Sequence, residues 1–531
     1  METIRNILSN AVVAGDLSAG DRAAVAGELA GATGLKVYET SVALAAVGAP
    51  PGARLLALAR DGRTKRLLVA ARPGSLGVFA KMTTQRRAIQ VRDDRLEVAI
   101  IDTTHAAADA LRQALPWTAP RLGGLTRSVG LGDRLGLATP GHVLAVHGSG
   151  CFPFFAQQSI REMTRTQRTA QQVMDDATWG VFQAGWREGF GSDADHLKNP
   201  ADIDTCVAAG FTMFTIDPGD HVRSDADEMD DNRLSSEMQA MDWKTLEISA
   251  ADFRSAYAGR SFTLDGGTSL SIDDRALARS AVKYGRAIAH TTRMFRHLCS
   301  VKGTQPFELE VSVDETATPT TTAEHYLIAA ELKRLGVTWV SLAPRFVGQF
   351  EKAIDYQGDL PTFERTYAQH VAIARTLGPY KLSLHSGSDK FSVYPIAARL
   401  SGELVHLKTA GTSYLEALRV VARRHPALFR RILDFAFTRF EDDRKTYHLS
   451  ARLESVPRAA RLADSQLESV LDGNDGRQLL HVTFGSVLTA RQDDGTYRFR
   501  DDLHDLLINH EEEHYAVLQQ HLGRHVRPFA R

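Results

Sequence analysis

Cysteine is nearly absent: Cys151, Cys206 and Cys299 are the only three in 531 residues, far apart and without a CxxC pair. An odd, scattered set excludes a disulfide framework and a cysteine metal site and points to a reducing compartment, with all three read as buried small apolar side chains. An excess of one charge is also lacking, since 63 Lys and Arg stand against 64 Asp and Glu. That balance excludes the basic footprint of a nucleic-acid binder. No run approaches the ~18 apolar residues of a membrane helix, and the start, Met1-Glu2-Thr3-Ile4-Arg5-Asn6-Ile7-Leu8, has no apolar core with a cleavage site. The expectation is a cytoplasmic protein with neither membrane nor nucleic acid as partner.

Two ligand motifs are present only in outline. Gly130-Leu131-Gly132-Asp133-Arg134-Leu135-Gly136 has the wrong spacing for a dinucleotide loop and no strand before it. The acidic stretch Asp225-Ala226-Asp227-Glu228-Met229-Asp230-Asp231 lacks the full spacing of a calcium loop and reads as solvated. No internal repeat or low-complexity tract stands out.

What is there divides in two. Short Ala- and Gly-rich helices to about residue 32, β-like runs at 36–47, 54–59, 66–71, 87–92 and 96–101, and a helix near 106–115 predict an α+β domain, which a Gly-rich connector extends to residue 140. From residue 141 to 531, strands alternate with helical segments. The predicted strands are 143–147, 189–195, 213–217, 307–313, 339–343, 381–385, 404–408 and 479–484. Eight strands, each with room for a following helix, predict a (βα)8 TIM barrel with its active site at the C-terminal strand ends. The long segment 221–303 predicts an insertion after the third strand.

Strand alternation turns Glu308, Glu310, Ser312 and Asp314 toward the barrel interior, together with Asp193, Asp195, Thr215, Asp217, Ser383, His385, His406, Lys408, His147, His481 and Thr483. A structural core does not accept so many polar groups unpaired, so they must meet one another, a metal or a polar substrate. Glu308 reads as an ion-pair partner low in its strand. Asp195-His196 at one strand end and His385 at another make a candidate divalent-metal site with a proton acceptor beside it. Histidine, carboxylate and amide ligands suit Zn, Mn, Ni and Co alike. At the C-terminus, His510-Glu511-Glu512-Glu513-His514 satisfies HExxH, but it falls in a predicted outer helix that continues to Leu522. It reads as a charged helical face.

Three segments carry a family resemblance: Ser192-Asp193-Ala194-Asp195-His196-Leu197-Lys198, Ser341-Leu342-Ala343-Pro344-Arg345-Phe346-Val347-Gly348-Gln349-Phe350-Glu351-Lys352, and Ser383-Leu384-His385-Ser386-Gly387-Ser388-Asp389-Lys390. Together they resemble the tagaturonate/fructuronate epimerases from about Gly130 onward. The strand ends, with Leu407-Lys408-Thr409-Ala410-Gly411-Thr412, are more distantly similar to class II metal-dependent sugar aldolases. The resemblance implies a metal-dependent isomerase inverting C4 of a keto sugar acid, with fructose and tagatose as further substrates of some members. It implies Asp195 as proton acceptor, Glu310 as proton donor, and His196 and His385 as metal ligands. Class II aldolases carry another histidine ligand after the fifth strand, where this chain has none. Gln349 is the nearest replacement there, with His406 or His221 as substitutes. Arg345, Lys352, Lys390 and Lys408 are candidates for the substrate's carboxylate or hydroxyls, and Asp217 is counted among the substrate-binding candidates.

The C4 hydrogen lies β to the C2 ketone, so simple enolisation does not invert it. Retro-aldol cleavage of C3–C4 does, if the aldehyde turns over and adds back. Transient oxidation at C4 requires a nicotinamide, for which the chain offers no convincing fingerprint. Two other readings are a true aldolase, which releases its fragments, and a non-catalytic sugar-acid binder. No phosphate cradle supports the first, and the acidic cluster around Glu310 argues against the second. Oligomeric state is not legible.

Overall fold

The computed structural model describes residues 1–10, 17–45 and 52–530. An antiparallel sheet opens the chain, with strands Lys36–Val37, Ala43–Ala45, Arg54–Asp61, Thr64–Ala71, Thr83–Val91 and Asp94–Asp102. The predicted run 36–47 is thus two short strands, and its last two residues lie outside the described residues. Leu55, Ala57, Leu68 and Val98 pack toward helices Glu2–Asn10 and Ala19–Thr33, while Leu56, Leu58, Val69 and Ala99 pack toward helix His105–Ala114. Burial on both faces makes these strands nearly continuous apolar runs. The second face also receives Trp179 and Phe182 from helix Ala170–Ala184, which docks the sheet on the rest of the protein.

Eight parallel strands then close a barrel: β1 Ser128–Gly130, β2 Phe152–Ser159, β3 Gly191–Leu197, β4 Met213–Ile216, β5 Glu308–Val313, β6 Ser341–Pro344, β7 Lys381–Leu384 and β8 Val405–Lys408. Six follow the expected segments and two do not. Residues 143–146 belong to helix Thr139–Val146, opened by Pro140 and capped by His147, and 479–484 span the end of helix Asn474–Val482, Thr483 and the start of helix Phe484–Thr489. A short apolar run has no period that separates strand from helix. The true strands escaped for opposite reasons. Three-residue β1 lies inside the Gly-rich connector, and β2 is buried at every position, which erases alternation. The insertion follows β4, the expected segment counted one place later. It ends in the 29-residue helix Asp274–Lys302. Its acidic stretch is ion-paired, Asp225 to Arg223 at 3.0 Å and Asp227 to Lys283 at 2.8 Å, which leaves no calcium loop.

After β8 the chain adds a helical layer that the strand pattern does not reveal. Helices Thr412–Arg424, Pro426–Asp443, Asn474–Val482 and Arg500–Asn509 bury a separate core including Leu415, Phe429, Leu433, Leu479 and Leu503. The last helix, Glu511–Val526, shows what HExxH does here. His510 is its N-cap, and Glu511 accepts from Lys36 at 3.2 Å and from the Tyr38 hydroxyl at 2.9 Å. The motif's glutamate therefore ties the N-terminal sheet to the C-terminal helix. Cys151 and Cys206 are buried and Cys299 half-buried. Among the described residues no helix is long and apolar enough to cross a membrane.

Candidate active site

Polar side chains fill the barrel in tiers. Low down, Lys381 and the His406 Nδ1 share the Ser128 hydroxyl at 2.9 and 2.8 Å, and Glu308 accepts from the Gly124 N–H. Burial pushes His406 well below the usual imidazole range despite Glu310, so it is neutral. His406 braces β8 against β1 and is not brought into a metal-ligand cluster. Burial likewise pushes the Lys381 ammonium down to about 8.

Above this tier one cation meets three carboxylates. Lys408 Nζ lies 2.8 Å from Asp193, 2.7 Å from Asp195, 2.7 Å from Glu310 and 2.8 Å from the Thr215 hydroxyl. Burial pushes the Asp195 carboxyl up, but His196, Lys408 and His385 outweigh it and hold it below the usual range. Glu310 is held well below by Lys408 and His385 against the same burial. Glu310, expected as a proton donor, is therefore ionised in this arrangement. Asp193 is the odd one, pushed up to about 6 by burial and by Asp195 and Glu310, against Lys408. Gln157 donates to the second oxygen of Asp195 at 3.1 Å. Gln157 lies on β2, where burial at every position leaves no alternation to mark it in the sequence.

At the strand ends a bulge sets the geometry. Phe214 pairs with Ala194 and Ile216 with Leu197, so Asp195 and His196 together oppose one residue of β4. His196 takes the left-handed conformation, φ 53°. Adjacent strand residues normally face opposite ways, but a bulge re-aims one of them. Both side chains consequently reach the same site. His196 Nδ1 is 3.1 Å from Asp217 Oδ2, and Asp217 also accepts from the Gly219 N–H at 2.8 Å. Asp217, counted among the substrate-binding candidates, thus orients the imidazole. His385 lies just beyond β7, its Nε2 2.6 Å from Glu310 and its Nδ1 3.0 Å from Asp314. Burial lowers both imidazoles, yet the surrounding carboxylates, Asp195 and Asp217 around His196 and Asp314 and Glu310 around His385, raise them to about 10 and about 9.

Asp195, His196 and His385 each offer a ligand atom, all within 4.8 Å of one another. Oε2 of Glu310 is buried without a hydrogen-bonded partner. Two imidazoles, a carboxylate and a strongly negative surround fit a divalent cation of the borderline N/O-binding kind. Gln349, offered as a third ligand, is not in this group. Its backbone pairs with Gln357 and it lines the outer cavity. His221 stacks on His290 at 4.0 Å in the insertion.

Two cavities meet at this cluster. An outer one of about 560 Å3 is lined by Asp314, Arg345, Gln349, Lys352, Tyr447 and His448, and it reaches His385 and Ser386. A small inner one is bounded by Asp195, His196, Lys408 and His481. Lys352, His385 and Ser386 border both, and Lys352 donates to the Ser386 hydroxyl at 2.7 Å. His481 arrives on a helix rather than the expected strand. Gly411, φ 91°, allows it, since a Cβ there would strike the His481 ring. Arg345 half-faces the outer cavity while its guanidinium donates to the Thr316 carbonyl. Lys390 faces away from both. Its ammonium donates to the carbonyls of Glu351, Ile354 and Ser388 at 2.7, 2.5 and 3.0 Å, and burial pushes it down to about 7. Lys390, a substrate-binding candidate from the sequence, is thus spent on bracing the loop. Tyr447 and His448 lie in the C-terminal helical layer, where no motif marks them.

Known proteins agree with this architecture. The profile of the UxaE family, tagaturonate epimerase, matches residues 50–529. A "Tagaturonate/fructuronate epimerase" of Thermotoga maritima is 43% identical over 471 residues, 88% of this chain and 93% of that protein. The glycerol-complexed fructuronate-tagaturonate epimerase UxaE of Cohnella laeviribosi superposes with a TM-score of 0.86 at 34% identity, covering 96% of this chain and 99% of that one. Its native form gives the same TM-score at 35% identity, with the same coverage. The chain therefore belongs to the tagaturonate epimerase family, enzymes of the isomerase class.

Proposed function

We propose that the protein interconverts D-tagaturonate and D-fructuronate by inverting C4, with a divalent cation held by His196 and His385 and with Asp195 beside it as proton acceptor. The convergence of these three on one point, beside a lysine bridging two carboxylates, carries the reading. Asp217 fixes the His196 tautomer, the usual role of a carboxylate behind a ligating imidazole. A cation there supplies Lewis-acid polarisation of the substrate ketone.

The chain's own residues manage the proton and the fragments. Asp195, held ionised, takes the proton of the C4 hydroxyl as the C3–C4 electron pair moves into the three-carbon ketone half, which becomes an enediolate. The other half is a three-carbon aldehyde acid. After it turns over, C3 attacks the opposite face of the aldehyde and the new C4 alkoxide recovers a proton. The turned oxygen no longer faces Asp195, so a second proton site is needed. Lys408 contacts both Asp195 and Glu310 and provides the path between them. Lys352, at the junction of the two cavities, is placed to hold the carboxylate of the turning fragment, with Arg345 farther out. Retention of that fragment separates an epimerase from an aldolase.

Metal-depleted and metal-reconstituted protein is to be given D-fructuronate, and separately D-fructose, with an aldehyde trap. Metal-dependent tagaturonate without trapped aldehyde is the expected result. Trapped fragments identify an aldolase, and no turnover of either sugar refutes the reading.

A further inference from the structure

A third cavity, of about 580 Å3, lies between the N-terminal sheet and the barrel and shares no lining residue with the two at the strand ends. Lys65 borders it from the sheet, Asp175, Asp176 and Trp179 from helix Ala170–Ala184, and Glu511 and His514 from the last helix. Most charges around it are matched. Arg112 pairs with Asp175 at 3.0 Å, Arg168 with Asp176 at 2.6 Å, Lys36 with Glu511 at 3.2 Å, and Arg63 with Asp505.

Lys65 is the exception: its ammonium has no hydrogen-bonded or ion-paired partner among the described residues. Burial lowers its pKa even though Asp176, Glu511 and Asp133 act in the other direction. Lys65 is half-buried at the cavity wall, so its uncommitted ammonium is open to the acid group of a ligand. Two further wall residues carry unmet polar atoms, Nε1 of Trp179 (5% exposed) and Nε2 of His514 (1% exposed).

We propose that this cavity binds an anionic polyol, a sugar acid or sugar phosphate. Its acid group meets Lys65, its hydroxyls donate to Asp175 and Asp176, and its carbon face lies against Trp179. The cavity is also tied to the active site through one turn. Gly136 and Leu137 form part of its wall. Two residues earlier, Arg134 pairs with Glu162 at 2.7 Å and donates to the carbonyl of His481 at 3.2 Å. The carboxylate of Asp133 accepts from the N–H groups of Leu135, Gly136 and Ala138 at 3.0, 2.8 and 2.7 Å, so one side chain braces the turn. The proposal stands independently of the metal and of the C4 mechanism.

Calorimetric titration with D-gluconate and with 6-phospho-D-gluconate tests it on the wild type, Lys65→Met and Lys352→Met. Binding at least tenfold weaker in Lys65→Met and unchanged in Lys352→Met is expected. The preferred probe distinguishes carboxylate from phosphate recognition. Equal affinity in wild type and Lys65→Met overturns the proposal. Hydrogen exchange on the unmodified protein serves if Lys65→Met does not fold. The probe should slow exchange in residues 60–66 and 505–515. Protection confined to residues 383–390, or none in either region, overturns the proposal as well.

Discussion

The Lys408 ammonium stands 2.7 Å from Asp195 Oδ1, and both side chains are almost wholly buried. Three carboxylates share that one cation. Removing a partner from a buried ion pair leaves uncompensated charge, at a cost of about 3–5 kcal/mol. Lys408→Met is therefore expected to lower stability by roughly that amount in denaturant titrations. It is also expected to abolish epimerisation. An unchanged midpoint contradicts the picture of Lys408 as the counterion that the three carboxylates share.

Asp217 acts through His196. Asp217→Asn retains the shape but no longer fixes the tautomer, and loss of such a partner lowers metal affinity by about 10- to 100-fold. Equilibrium dialysis against Co(II) measures this directly. A variant with normal metal affinity and depressed kcat identifies Asp217 as a substrate contact instead.

Lys352 separates charged from neutral substrates. If it holds the fragment's carboxylate, Lys352→Met should lower kcat/KM for fructuronate by at least tenfold while changing fructose turnover far less. Equal losses on both sugars assign Lys352 to bracing Ser386.

Asp133 makes stability fall in acid. Burial raises its pKa, but Arg168, His142 and the N–H groups it accepts from outweigh burial and hold it below the ordinary value. A depressed carboxyl stabilises the fold above its unfolded value, ~3.9, and that contribution is lost as pH falls through the folded value. Melting curves between pH 6 and 3 should decline more steeply for wild type than for Asp133→Asn. Parallel curves refute the assignment.

Much of the site was legible because barrel strands obey a period of two and end at the chemistry. Glu310, Lys408 and His385 follow from counting along their strands. Asp195 and His196 were found as a motif, but alternation sets them on opposite faces. Only the β3 bulge, with His196 at φ 53°, brings them together. His406 and Lys390 share the polarity of the site residues, and only tertiary contacts show them spent on Ser128 and on backbone carbonyls. Gln157, Tyr447 and His448 belong to a fully buried strand and to the added helical layer, where side-chain period carries no signal.

The most direct test follows the C4 hydrogen. D-Fructuronate is to be converted in D2O by metal-depleted and by Co(II)-reconstituted enzyme, and the tagaturonate formed examined by NMR. Cleavage and re-addition of C3–C4 predicts product only with metal, and protium at C4. Deuterium at C4, or equal rates with and without metal, contradicts the account.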